Sequence, residues 1–197
     1  CSHGCSEQPV QAASAARVHV TPCCSTRVMF VKEMAKFLYE GIDSAVRDAT
    51  LTHCPSVLLV RHPRAVLASF GGALQRTATL EDTGLVEQLR IVDDHLRLTG
   101  KLPSIILNEE LLSQPETILR RLCDDLGIPF YPAMLSWPVG GRPEDGMWAP
   151  YWYTSTHKST GFGRAAAGDS VPSLAPVCDT VLQECMSYYN RLIGMKA

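Results

Sequence analysis

The sequence predicts an α/β fold in which a parallel sheet is covered by helices on both faces. Three observations carry that prediction. Residues 57–60, Val-Leu-Leu-Val, are aliphatic throughout and bounded upstream by Pro55, as in a strand buried on both faces. Residues 28–31, and 104–107 after their first serine, are apolar runs of similar short length. The stretches between them space their apolar residues at helical intervals, and strands alternating with helices give a parallel sheet.

Residues 1–22, rich in Ala, Ser and Gln, carry no period and read as tail or linker. Residues 28–31 read as a short buried strand. From about Glu33, Met34, Phe37, Leu38, Ile42, Ala45 and Val46 form one helical stripe. After the 57–60 strand, Pro63 suits a first helical turn, where its missing N–H costs nothing. That helix ends near the polar stretch 77–83. Leu85, Leu89, Val92, Leu96 and Leu98 mark the next amphipathic helix. Residues 104–107 make a third strand, and 115–126 a helix closed by Gly127. Residues 129–170 are loop-like, with Pro, Gly and aromatic clusters. Residues 174–193 close the chain as a helix with Tyr188, Tyr189 and Leu192 on its apolar side. No internal repeat is visible.

Composition narrows the function classes. The 197 residues suffice for one sizeable core, and 46% apolar with 19% charged residues is globular composition. A net charge of −2 gives no sign of a broadly basic nucleic-acid surface or a membrane-attracted one. No apolar run approaches transmembrane length, and the start, at Cys1, lacks a signal-peptide pattern. The expectation is a fragment or processed product, cytoplasmic by default, with compartment and oligomeric state open. Eight irregularly spaced cysteines include no CxxC pair. Cys1 and Cys5 have no second pair to complete a zinc site, so no metal is expected. Cys123 reads as a buried free thiol in an amphipathic helix.

The most informative chemistry lies where the 57–60 strand meets its helix. Arg61, Arg64 and, eight residues after Arg61, Ser69 gather at a strand's carboxyl end and a helix N-terminus. Open α/β sheets bind anions there, since helix-end N–H groups and the dipole favour negative charge. Guanidinium forks match phosphate oxygens. Phosphate binding is one reading, and an arginine salt-bridged at a sheet edge is the other.

This segment resembles the 3′-phosphate-binding strand and helix of sulfotransferases that use 3′-phosphoadenosine 5′-phosphosulfate (PAPS). In that family a strand-end Arg and a Ser eight residues on hold the nucleotide's 3′-phosphate, and Arg61 and Ser69 match them. Residues 30–35, FVKEMA, resemble the family's preceding strand and its exit. Residues 104–116, SIILNEELLSQPE, resemble its later strand, acidic turn and helix start, and residues 119–129, LRRLCDDLGIP, the helix that follows. Residues 135–162 resemble a branch found in plants, algae and bacteria, which includes sulfotransferase-like domains carried beside aminotransferase-like regions. The resemblance runs from about residue 28 to the C-terminus. It divides the chain into a tail or remnant, 1–27, and the C-terminal portion of a sulfotransferase-like domain, 28–197.

The resemblance implies a P-loop NTPase-like sulfotransferase fold whose first strand, phosphate loop and helix are absent, since no GxxxxGK[ST] or related loop occurs. It implies transfer of a sulfonate group from PAPS to a hydroxyl or amine of a small-molecule or glycan acceptor, with no metal and no nucleic-acid partner. Arg61 and Ser69 would hold the 3′-phosphate, with Arg64 as a secondary contact or a plain surface cation. Lys32 matches the family's strand-end lysine, facing the nucleotide or sulfonate; the alternative is a solvated helix-start lysine. Many members carry a base His two residues after that lysine, but here the position is Met34, which cannot take a proton. Glu33 is the candidate base in its place. Lys158 and Ser159 lie roughly where members carry a basic loop over the 3′-phosphate, and His157 is a spare base candidate or, alternatively, a plain surface residue. The aromatics of residues 137–162 pack as core or line an acceptor pocket. Residues 108–110, Asn-Glu-Glu, read as structural. Two alternatives stand beside the enzyme: a non-catalytic adenosine-bisphosphate-binding or interaction module of the same fold, and a P-loop phosphotransferase.

Overall fold

The computed structural model describes residues 17–18, 28–147, 149–163 and 177–196. The candidate tail and Cys1, Cys5, Cys23, Cys24 and Trp148 therefore lie outside the described residues, apart from Arg17 and Val18.

The centre is a parallel pair, β3 (Val57–Val60) and β4 (Ser104–Leu107), in register from Val57↔Ser104 to Val60↔Leu107. A second pair, β1 (Arg17–Val18) and β2 (Phe30–Val31), is antiparallel. Helices α1 (Ser44–His53), α2 (Pro63–Leu74), α3 (Leu80–Thr83) and α4 (Leu85–Thr99) precede β4. After it come α5 (Asn108–Ser113), α6 (Pro115–Leu126), the short α7 (Ala149–Trp152) and α8 (Thr154–Lys158), and α9 (Asp179–Gly194). The core joins Leu58 and Val60 of β3 to Leu67, Leu85, Leu89, Val92, Ile105, Leu182, Cys185 and Leu192. Helix α9 packs against α2, α3 and α4 and closes it. Among the described residues no helix is long and apolar enough to cross a membrane. Cys54, Cys123, Cys178 and Cys185 are free thiols, and burial raises the pKa of Cys123.

Three expectations are corrected. The 28–31 segment is no buried strand: only Phe30 and Val31 pair, and Met29 (73% exposed) and Phe30 (57%) face outward because two residues of antiparallel pairing bring no covering layer. Among the described residues the sheet is not covered on both faces, since Leu59 of β3 is 51% exposed between buried Leu58 and Val60. The 33–46 helix is broken. A 3-10 turn (Ala35–Leu38) ends before Gly41, whose φ of +81° is left-handed, and α1 starts afresh after Asp43, whose Oδ1 accepts from the Ala45 N–H at 2.8 Å.

That 3-10 turn is nonetheless firmly seated through Tyr39, its C-cap. The Tyr39 hydroxyl donates to Asp94 of α4 at 3.0 Å, and its ring lies beneath the guanidinium groups of Arg90 (4.0 Å) and Arg47 (4.9 Å). Burial first, then the Asp94 carboxylate, pushes this phenol's pKa well up.

Candidate functional site

β3 delivers Arg61 to its carboxyl end, and the next three residues build the helix start. His62 is the N-cap, its Nδ1 accepting from the Arg64 N–H at 3.3 Å, and buried Pro63 is the first helical residue. The junction is braced from two sides. The His62 N–H donates to Glu109 Oε1 of α5 at 3.1 Å, and the His62 ring meets Tyr189 of α9 edge-on at 5.3 Å. Residues 108–110 thus hold the junction together: Glu109 pins His62, while Glu110 pairs with Lys196 at the chain's other end.

The first-turn N–H groups that the sequence reading offers to an anion already have acceptors within the chain. Pro63 has no N–H, that of Arg64 goes to His62 Nδ1, and those of Ala65 and Val66 reach the His62 carbonyl at 3.0 and 3.2 Å. What remains for an anion is side chains. Arg61 and Arg64 are exposed and form no ion pair among the described residues, whereas Arg47, Arg76, Arg97 and Arg120 all do. Among the described residues the arginine salt-bridged at a sheet edge is therefore not found. Ser69 is also exposed, and its hydroxyl has no partner among the described residues. It stands six residues beyond the first helical position, about 9 Å along the axis.

The 136–163 segment folds back toward this junction. Trp152 packs on Phe70, the residue after Ser69, with ring centroids 5.2 Å apart. Tyr153 then takes a hydrogen bond from the Lys32 ammonium at 3.0 Å. Lys32, Tyr153, Trp152 and the middle of α2 are thus contiguous. Glu33 is exposed, and its Oε1 accepts from the Met34 N–H at 2.8 Å.

Residues 129–163 hold more order than a loop reading allows. Ser136 and Gly161 form a β-bridge, the Trp137 N–H donates to the Thr160 carbonyl at 3.0 Å, and Gly140 donates to that of His157 at 2.8 Å. Trp137 Nε1 donates to Ser159 Oγ, which itself donates to the Thr156 carbonyl, so Ser159 has a structural task. His157 is tied to Asp145 rather than free at the surface. It is half-buried, Nε2 2.9 Å from Asp145 Oδ2, with its ring against Gly141, where an added Cβ would lie 2.7 Å from Cε1. Asp145 is held below the usual carboxylate range by the Arg142 N–H first and by His157 second. Lys158 is exposed and unpaired among the described residues.

The family of sulfotransferase domains matches this chain over residues 4–197. The chain is 37% identical over 164 residues to branched-chain-amino-acid aminotransferase-like protein 2 of Arabidopsis thaliana, covering 83% of this chain and 28% of that protein. Against the aminotransferase-like protein 1 of the same plant it is 38% identical over 169 residues, 85% of this chain and 29% of the relative. The chain therefore spans less than a third of the length of these relatives. No solved structure matches it.

Proposed function

This chain belongs to the sulfotransferase domain family, and from that premise we propose that it binds the adenosine-bisphosphate half of PAPS at Arg61 and Ser69 and serves sulfonate transfer to a hydroxyl or amine. The observation that carries the reading is a strand-end guanidinium and a helix hydroxyl, both exposed and both without partners among the described residues. Arg64, one turn on, adds positive charge to the same helix end, and Lys158 is a further candidate contact. The parallel pair β3–β4 with its helices is consistent with a P-loop-type sheet.

In the transfer, a bond forms between the acceptor's oxygen or nitrogen and sulfur while the bond from sulfur to the bridging oxygen of PAPS breaks. Adenosine 3′,5′-bisphosphate leaves, and the acceptor's proton passes to a base. Charge spreads over the sulfonate oxygens, so cations placed around them lower the barrier. Lys32 is the cation proposed for that place. Glu33 is the proposed base: its second carboxylate oxygen has no partner among the described residues.

Met34, standing where a base histidine is common, favours a second reading, a bisphosphate-binding module without turnover. Calorimetric titration with adenosine 3′,5′-bisphosphate, against adenosine 5′-monophosphate, tests what both readings share. We expect the bisphosphate to be preferred, and Arg61→Ala to weaken it by about 1.5–3 kcal/mol, the range for a hydrogen bond to a charged group. Wild-type affinity in that variant would overturn the assignment of the 3′-phosphate to Arg61. Release of bisphosphate from PAPS by the wild-type protein then separates enzyme from module.

A further inference from the structure

Lys32 and Tyr153 lie 121 positions apart in the chain, yet their polar ends meet at 3.0 Å. The ammonium has three N–H donors and spends one on the phenol oxygen; its charge also sits 5.1 Å from the centre of the Tyr153 ring. Among the described residues no carboxylate pairs with it. The phenol accepts from Lys32, but its own O–H has no acceptor among the described residues. One spot thus presents an uncompensated positive charge, spare ammonium N–H groups and a phenolic O–H. All are donors, and an anion's oxygens are what such a set lacks.

The spot is also held in place. Tyr153 is half-buried, and on its other side its ring meets His157 edge-on at 6.0 Å, with His157 fixed by Asp145 at 2.9 Å. Its chain neighbour Trp152 is anchored on Phe70, beside Ser69. A phenol has only two side-chain torsions, so this bracing fixes where its O–H can reach.

We infer that Tyr153 is a binding residue for the sulfonate that is to be transferred, its O–H donating to one sulfonate oxygen while Lys32 donates to another. The inference rests on the proposed function, because Arg61 and Ser69 must hold the other end of the same molecule. Tyr153 is thereby more than packing: it discriminates PAPS, which carries the sulfonate, from the bisphosphate product, which does not.

Calorimetric titration of the wild type, Tyr153→Phe and Lys32→Met with PAPS and with adenosine 3′,5′-bisphosphate tests it. Phenylalanine keeps the ring contacts with His157 and removes only the hydroxyl. The expected result is unchanged bisphosphate affinity in Y153F and a PAPS-to-bisphosphate affinity ratio about tenfold lower than in the wild type, with K32M moving the ratio the same way. An unchanged ratio in Y153F with bisphosphate still bound would overturn the sulfonate role and leave the proposed function standing. Equal loss of both ligands in Y153F would likewise overturn it, marking Tyr153 as structural. If the wild type binds neither ligand, the proposed function fails and this inference fails with it.

Discussion

A hydroxyl inside a helix ordinarily returns its proton to the carbonyl one turn back, as Thr50 and Thr52 of α1 do at 2.8 and 2.7 Å. Ser69 does not, which leaves its donor available in the middle of α2. A residue placed for folding and one placed for a ligand therefore give opposite signs on mutation here. Ser69→Ala removes no internal bond and substitutes the better helix former, so stability should hold or rise by a few tenths of a kcal/mol. Bisphosphate binding should weaken by about 1.5–3 kcal/mol. Thermal melting and calorimetry on the same sample check both halves, and wild-type affinity would leave Ser69 with no ligand to explain it. The Arg61–Ser69 pair was legible in the sequence because a strand end, a first-turn proline and a fixed spacing are local facts. The occupation of the α2 backbone N–H groups was not legible, since it depends on His62 turning its Nδ1 onto Arg64.

Short elements are set by side-chain bonds more than by apolar stripes, and there the sequence was harder to read. The stripe from Met34 to Val46 keeps helical phase across a real break; the signal against it was Gly41 followed by Asp43 at an N-cap position. Residues 80–83 read as part of a polar stretch, although the start of α3 is a capping arrangement: Asp82 accepts from the Thr79 N–H at 2.9 Å and from Arg76 at 2.6 and 2.7 Å. These bonds, Arg76 first, hold the Asp82 pKa down at about 2, against an ordinary 3.8. A carboxylate depressed on folding adds stability that is fully present above its unfolded pKa and disappears as pH falls through the folded one. The contribution should be intact above about pH 4 and lost near pH 2. Arg76 is half-exposed, so solvent screening limits the contribution to roughly 1 kcal/mol. Denaturant unfolding of wild type and Asp82→Asn should differ by about that amount at pH 5 and converge toward pH 2. A difference independent of pH would mean that capping geometry, not charge, carries the effect.

Across the whole molecule, alternation of strands and helices was readable because each buried strand is a short aliphatic run, while the cover over the sheet was not. Leu59 lies open, and its carbonyl takes a hydrogen bond from the Gln88 side chain at 3.1 Å. Nothing in a local window distinguishes Leu59 from its buried neighbours. Helix α9, last in sequence, ties the fold to the site in two ways that one helix face separates. Leu192 is fully buried in the core among residues of the other helices, whereas Tyr189 also meets His62, the N-cap next to Arg61. Truncating either side chain opens a cavity, so each should cost stability: about 2–5 kcal/mol for Leu192→Ala and about 3 kcal/mol for Tyr189→Ala. Their effects on ligand binding should diverge. Under conditions where both variants remain folded, Leu192→Ala should bind adenosine 3′,5′-bisphosphate as the wild type does, since Leu192 belongs to the apolar core while the two braces on His62 come from Glu109 and Tyr189. Tyr189→Ala removes one of the two braces on His62 and leaves Glu109 alone to hold the junction, so Arg61 loses part of its fixed aim. Its affinity should drop several-fold, on the order of 1 kcal/mol, with the bisphosphate still preferred over the monophosphate. Denaturant unfolding sets the folded fraction and calorimetry at matched folded concentration reads the affinity. Equal affinities in the two variants would show that the junction is held by Glu109 and the strand alone, and that α9 serves only the core.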